Sequence, residues 1–211
     1  MKHHLGLRAT IEAVEDVKRQ IAQSSYLQQA LAAVEEQMLD LVRTSATIGP
    51  LYILTKLSMP AMEAICAACF PRVAFWLTNV NSFPNFHRVQ VVAATAALKT
   101  SVEFTSWRVK VFQQICRDQG ANYGPTLRGS TQALQVAESG AFSLISVTTS
   151  EADVFACVKT IDIAPFLVPK CIRVRGVQCN HSLEDFYAHL RTLQMYIQTS
   201  AAHPTAFSTT L

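Results

Sequence analysis

Residues 9–43 contain neither proline nor glycine, and this uninterrupted stretch predicts helix. Val14, Val17 and Ile21 follow one helical phase, and a second phase begins after Ser24. The stretch is therefore either one long helix with a stutter or two helices with a break near Ser24. In the second phase, five apolar residues recur with the 4-3-4-3 spacing of a helix–helix interface: Leu27, Leu31, Val34, Met38 and Leu41.

The next segment, residues 44–80, is apolar and carries only three charged side chains, Lys56, Glu63 and Arg72. A membrane-spanning helix needs about 20 consecutive apolar residues. Three prolines, at positions 50, 60 and 71, instead divide this segment into pieces of about ten residues. We therefore expect short core helices bounded by prolines, one of them over Pro60–Cys69 with Ser58 before it.

A long amphipathic helix is predicted over residues 87–118, with Gly120 just beyond its end. At 100° per residue, four cations fall within about 40° of one another on this helix. They form a predicted cationic stripe: Arg88, Lys99, Lys110 and Arg117. Residues 44–110 carry six basic and two acidic side chains, and this excess of cations accounts for the positive net charge of the chain, +3. The stripe is either an ordinary solvated face or a contact surface for RNA phosphates or anionic lipid.

Residues 141–178 have a different pattern. Residues 142–148 and 170–177 are rich in β-branched side chains with partial alternation, which favours strands. Between them, Ser150 with Asp153 is typical of a helix start and favours a helix over residues 151–160.

The last helix is marked by a capping pair, Ser182 and Asp185. One face of this helix is mainly apolar: Leu183, Phe186, Tyr187, Leu190, Leu193, Gln194 and Ile197. Residues 199–211 have the composition of a loop and predict a C-terminal tail.

These patterns together predict a mainly α fold, a multi-helix bundle with a small β element within residues 141–178. They divide the chain into a helical region, 1–140, and a mixed segment, 141–211, that ends in an amphipathic helix and a tail. The helical region comprises the N-terminal helix or helix pair, the short proline-bounded helices and the long helix 87–118.

Few residues suggest chemistry. Cys66 and Cys69 have the spacing of a metal or redox pair, but their apolar context favours buried thiols on one helix face. Asp185 and His189 are neighbours on one helix face, which favours a surface contact. There is no glycine-rich phosphate loop and no nucleophile elbow in the sequence. We therefore assign no catalytic, cofactor-binding or metal-ligating residue and no small-molecule substrate.

Composition suggests that this chain has partners. Half of the 211 residues are hydrophobic and 16% are charged, with a mean hydropathy of +0.20. A monomer with so few charges risks exposing a large apolar patch. The sequence therefore predicts a non-catalytic structural subunit, obligately bound to other protein subunits, as in an organellar membrane-associated complex or a virion. The alternatives are a nucleic-acid-contacting coat or ribonucleoprotein protein, and an enzyme with a dispersed site. With no secretory signal at the N-terminus, an intracellular location is expected.

Overall fold

The structure is a computed structural model that describes residues 2–79, 89–94, 98, 100–127, 143–164, 167–175 and 182–211. Its described elements are, in chain order, α1 (Lys2–Gln23), α2 (Ser25–Ile48), β1 (Leu51–Thr55), α3 (Met59–Cys69), α4 (Pro71–Asn79), β2 (Val89–Ala93), α5 (Ser101–Leu127), β3 (Ser143–Thr148), α6 (Glu151–Lys159), a 3-10 turn (Thr160–Asp162), β4 (Val168–Arg173), α7 (Leu183–Ala202) and β5 (Phe207–Thr210). The predicted mainly α fold is confirmed, and the small β element within residues 141–178 consists of β3 and β4.

The chain forms two compact units, each made of two stretches of sequence. The first contains Met1–Ala97 and Gln178–Met195, and the second contains Leu98–Val177 and Tyr196–Leu211. This grouping does not follow the predicted division at residue 140, because α5 packs against α6 and so belongs with the β3–α6–β4 segment.

In the first unit, the N-terminal stretch is two helices with a break at Ser24, which was one of the two predicted alternatives. The Ser24 hydroxyl accepts a hydrogen bond from the backbone N–H of Leu27 at 3.3 Å and so caps α2. Across the break, the Gln28 side-chain amide donates to the carbonyls of Ile21 and Ala22, at 3.1 and 3.2 Å. These bonds satisfy backbone groups that an interrupted helix leaves unpaired.

The core of the first unit lies between α2, α4 and the β1–β2 pair. Its buried side chains are Leu39, Ala46, Val73, Trp76 and Val89. Strands β1 and β2 are parallel, with Leu51 opposite Val89 and Thr55 opposite Ala93. The predicted short helix is present as α3, and the whole of α3 and α4 lies in the crossover between the two strands.

The predicted helix over residues 87–118 is wrong in its first part. Residues 89–93 form strand β2, and the helix begins only at Ser101 and continues past Gly120 to Leu127. Val89, Val91 and Val92 are β-branched and favour a strand once β1 is available as a partner. Local periodicity does not reveal that partner, which lies 38 positions earlier in the chain.

The second unit is built on a three-stranded parallel sheet in the order β3-β4-β5, with Ser143 opposite Val168 and Lys170 opposite Phe207. The loop predicted for the C-terminal tail is therefore wrong. Helix α7 continues to Ala202, and residues 207–210 form an edge strand. Both predicted strands in 141–178 and the helix between them are present, with the Ser150 hydroxyl accepting from the Ala152 N–H at 3.2 Å.

A fully buried lysine fixes the end of α7 in the second unit. The ammonium of Lys170, on β4, donates to the carbonyl oxygen of Ser200 at 2.8 Å and also to that of His203. These carbonyls belong to the last turn of α7 and the residue after it, where a positive charge is favourable. Burial lowers the pKa of Lys170.

Within the described part of the chain, each helix is too short or too polar to cross a lipid bilayer.

Candidate protein-interaction groove

The second unit carries an apolar groove between α5 and α6, with a cavity volume of about 570 Å³. Two large apolar side chains at the groove are open to solvent, Val102 with 75% of its surface exposed and Phe155 with 50%. The full lining consists of Ser101, Val102, Thr105, Ser106, Val109, Lys110, Gln113 and Phe155. Large apolar side chains exposed together at a concave surface are typical of binding sites.

One wall of the groove is the N-terminal half of α5, which begins with a capping box. The Glu103 N–H donates to the Thr100 hydroxyl at 3.1 Å, and the Thr100 N–H donates to the Glu103 carboxylate at 2.9 Å. The Thr-x-x-Glu pattern that marks this helix start is present in the sequence at residues 100–103. The helical spacing of the residues before it led to a predicted helix that began earlier, at residue 87. Because Glu103 is held back at the helix start, its carboxylate faces the first turn of α5.

A buried ion pair joins α5 to α6. Arg108 of α5 and Asp153 of α6 are 8% and 6% exposed, and their charged atoms are 2.6 Å apart. The second carboxylate oxygen of Asp153 accepts a hydrogen bond from the Thr148 hydroxyl at 2.5 Å. Thr148 in turn accepts from the Ser150 N–H at 2.9 Å. This network connects β3, α5 and the first turn of α6, so it fixes how the walls meet.

A second contact between α5 and α6 lies about two helical turns further on. The Cys116 thiol of α5 hydrogen-bonds with Thr160, in the 3-10 turn after α6, and burial raises the pKa of this thiol to about 11. Cys157 lies nearby, and its hydrogen bond with the Cys171 thiol, together with burial, raises the pKa of Cys157. The pairs Arg108–Asp153 and Cys116–Thr160 occur in the same order on both elements, so α5 and α6 run in the same direction.

Exposed cations lie beside the groove, together with the exposed carboxylates of Glu103, Asp118 and Asp162. Lys110 is in the lining, and Arg117, seven residues further along α5, lies on the same side of the helix and is exposed. On α6, the Lys159 ammonium lies 5.9 Å from the centre of the Phe155 ring and also pairs with Asp162 at 3.3 Å. The groove therefore combines exposed apolar side chains, Val102 and Phe155, with polar lining residues, and charges of both signs lie near it.

The structure separates the members of the predicted cationic stripe. Lys110 and Arg117 share one exposed face of α5, as predicted. Arg88 and Lys99 lie outside the described residues, and β2 stands between Arg88 and α5, so one helix does not carry all four. The four cations therefore do not form one helical stripe, and their contact with RNA or anionic lipid stays a prediction.

Among the predicted interface residues of α2, Val34 is buried at 1% exposure, and Leu27, Leu31, Met38 and Leu41 are half-buried. A contact of these five residues with another chain stays a prediction. The capping pair of α7 is confirmed, with the Asp185 N–H donating to the Ser182 hydroxyl at 3.0 Å.

The two cysteines of the Cys-x-x-Cys pair are half-buried rather than buried as predicted, because α3 lies partly open to solvent. Burial, together with the neighbouring Cys69, raises the pKa of Cys66, and burial raises that of Cys69. No three His, Cys, Asp or Glu side chains within the described ranges are arranged to hold a metal ion.

Val102 and Phe155, which make the groove apolar, were not singled out from the sequence. One signal was available in α6, whose nine residues place apolar side chains nearly all round the helix. Such a helix is either completely buried or in contact with a partner. Here Ala156 and Cys157 are completely buried, whereas Phe155 and Val158 are about half exposed.

Compared with protein-family models, with curated proteins and with solved structures, the chain matches none of them.

Proposed function

We propose that this chain is a non-catalytic subunit of a larger protein assembly and that the α5–α6 groove contacts another subunit. The exposure of Val102 and Phe155 on either side of the groove carries this proposal. At about 25 cal/mol per Å² of apolar surface, covering two such side chains favours association by a few kcal/mol. The buried Arg108–Asp153 pair supports the proposal because it joins the two helices whose residues line the groove.

Two further features agree with a role as an assembly subunit. The chain has few charged residues, and it exposes apolar side chains outside the groove as well. In the first unit, Phe75 is 65% exposed and Met195 is 55% exposed. Single exposed apolar residues are normal on any surface. The groove differs from them because its exposed apolar residues converge on one concavity.

Sedimentation velocity of the purified chain over a micromolar concentration range tests the proposal. We expect the wild-type chain to self-associate or aggregate, since its groove is uncovered, and Val102→Asp/Phe155→Asp to shift the chain toward monomer. The matched control is Gln114→Asp. Gln114 is exposed on α5 and lies outside the groove lining, so this variant is expected to sediment like wild type. A wild-type chain that sediments as a monomer throughout and melts sharply contradicts the proposal.

A further inference from the structure

The outer edge of strand β5 presents backbone hydrogen-bonding groups that the described part of the chain leaves unpaired. We propose that two copies of this chain pair through this edge, with their β5 strands antiparallel and centred on Thr209. Such pairing joins the three-stranded sheets of the two copies into one sheet. It uses residues outside the groove lining and goes beyond the function proposed above.

The hydrogen bonds between β5 and β4 determine which groups of β5 point outward. The Leu211 N–H donates to the Arg173 carbonyl at 2.8 Å, and the Leu211 carbonyl accepts from the Arg175 N–H at 3.2 Å. In a parallel pair, alternate residues direct both backbone groups to the same neighbouring strand. Every second residue before Leu211 therefore faces β4, whereas Ser208 and Thr210 direct their N–H and C=O groups away from the sheet.

This outward edge lacks the features that usually protect a sheet edge. Ser208 and Thr210 are exposed, and neither has a hydrogen bond on the outer side to a described residue. Natural edge strands are often protected by charged side chains, a proline or a bulge. Residues 207–211 contain no charged side chain and no proline, and β5 pairs with β4 in unbroken register. The edge is therefore able to accept another strand.

The sequence of β5 makes a second copy the matching partner, because its residue types are symmetric about Thr209. In the antiparallel pair, Ser208 lies opposite Thr210 of the second copy and exchanges two backbone hydrogen bonds with it, and the symmetry gives two more. Opposed Ser and Thr side chains are a favourable cross-strand pair. Phe207 lies opposite Leu211 of the second copy, so apolar residues meet at both ends and no like charges are opposed.

The symmetric pair also differs from the other arrangement that the sheet allows. An isologous β5–β5 contact closes after two copies, whereas β5 against the β3 edge of another copy is head-to-tail and continues without end. Four backbone hydrogen bonds contribute modestly, because each replaces bonds to water. We therefore expect a weak dimer that covalent trapping at high protein concentration detects.

The test is disulfide trapping of Thr209→Cys with oxidised glutathione, followed by mass spectrometry of the linked peptides. Residues opposed at a non-hydrogen-bonded site of an antiparallel pair have Cα atoms about 4.5 Å apart, which a disulfide can span. The matched control is Ser208→Cys, because the two copies of residue 208 are offset by two positions and lie beyond disulfide reach. We expect Thr209→Cys to form its symmetric crosslink about tenfold faster than Ser208→Cys, although Ser208 is the more exposed residue.

Proline substitution then tests whether the outward N–H groups hold the pair. In the Thr209→Cys chain, Thr210→Pro removes an outward N–H and leaves the bond from Leu211 to Arg173 available. It should slow crosslinking about tenfold, whereas Thr210→Val, which keeps the N–H, should crosslink like the parent. Ser208→Pro removes the other outward N–H and replaces Thr210→Pro if urea unfolding shows that Thr210→Pro destabilises the chain.

Equal crosslinking of Thr209→Cys and Ser208→Cys overturns the inference, and so does a crosslink that survives the proline substitution. Absence of the symmetric crosslink also overturns it, since that is the result for the head-to-tail arrangement or for a β5 edge that stays unpaired. The proposed function is tested separately, because its variants lie on α5 and α6 and it is measured by sedimentation.

Discussion

Arg108 and Asp153 form an ion pair at 2.6 Å, and their side chains are only 10% and 8% exposed. The pair joins α5 to the first turn of α6. Removing one member of a buried pair leaves an uncompensated charge, which is more costly than losing both. The contact between α5 and α6, the two helices that line the groove, therefore includes a buried polar pair.

The first prediction concerns this pair. Arg108→Met should lower the free energy of unfolding by about 3–5 kcal/mol because it leaves the Asp153 carboxylate buried and unpaired. Arg108→Met/Asp153→Leu should recover much of that loss. Chemical denaturation of the wild-type, single and double variants measures both effects.

The exposed pair Arg43–Asp40, at 3.5 Å, supplies the control, and Arg43→Met should cost no more than about 1 kcal/mol. Equal losses for the buried and exposed pairs would show that Arg108 does not hold α5 against α6.

The second prediction concerns Glu35, a buried carboxylate of α2 that caps another helix. Its oxygen accepts from the backbone N–H groups of Arg72 and Val73, at 2.6 and 3.1 Å, in the first turn of α4. Glu35→Ala should destabilise the chain by about 1–2 kcal/mol, the usual cost of a lost helix cap. Glu35→Gln should cost less, because the amide oxygen can still accept.

Glu36→Ala is the matched control for this cap. Glu36 contacts α4 through an exposed ion pair with the Arg72 side chain at 2.5 Å. Because exposed ion pairs contribute little, Glu36→Ala should reduce stability less than Glu35→Ala. Thermal or urea unfolding of the three variants distinguishes the two glutamates, and a larger effect of Glu36→Ala would contradict the capping role.

The third prediction is a loss of stability at alkaline pH. Burial raises the pKa of the Cys116 thiol from 9.0 to about 11, so the folded chain keeps a proton that the unfolded chain releases. This contribution to stability is complete below pH 9 and is lost as the pH rises through about 11. The unfolding free energy of wild type should fall faster over this range than that of Cys116→Ala. If the unfolding free energies of the two proteins change with pH in parallel, the raised pKa of Cys116 is contradicted.

The fourth prediction concerns Cys66 and Cys69. Their raised pKa values leave less reactive thiolate at neutral pH, and both side chains are half-buried. Iodoacetamide should therefore label both cysteines severalfold more slowly in the native chain than in the unfolded chain, as mass spectrometry of proteolytic fragments can show. If the native chain is labelled as fast as the denatured chain, Cys66 and Cys69 are not the half-buried thiols of raised pKa described above.

Local signals in the sequence predicted local structure well. The break near Ser24, the capping pair Ser182–Asp185 and the helix after Ser150 all depend on side chains within a few residues of the backbone they bind. Strand β2 and the C-terminal strand β5 could not be predicted in this way. Each forms only because a distant strand offers hydrogen bonds, which no local periodicity contains.

The candidate groove was partly foreseeable. The exposed face of α5 with Lys110 and Arg117 follows from helical geometry alone. Arg108 is one of the six basic residues of 44–110, and its burial depends on Asp153, which lies 45 positions away. The exposure of Phe155 likewise depends on what α6 packs against, so it required the tertiary structure.

The mass of the native protein, isolated from its source without denaturant, tests the central claim most directly. Our account predicts a particle well above the 23.3 kDa of one chain, and a return toward 23.3 kDa when the chain carries Val102→Asp/Phe155→Asp. A wild-type mass of 23.3 kDa, with Val102 and Phe155 open to solvent in the native state, would contradict the claim that this chain is an assembly subunit.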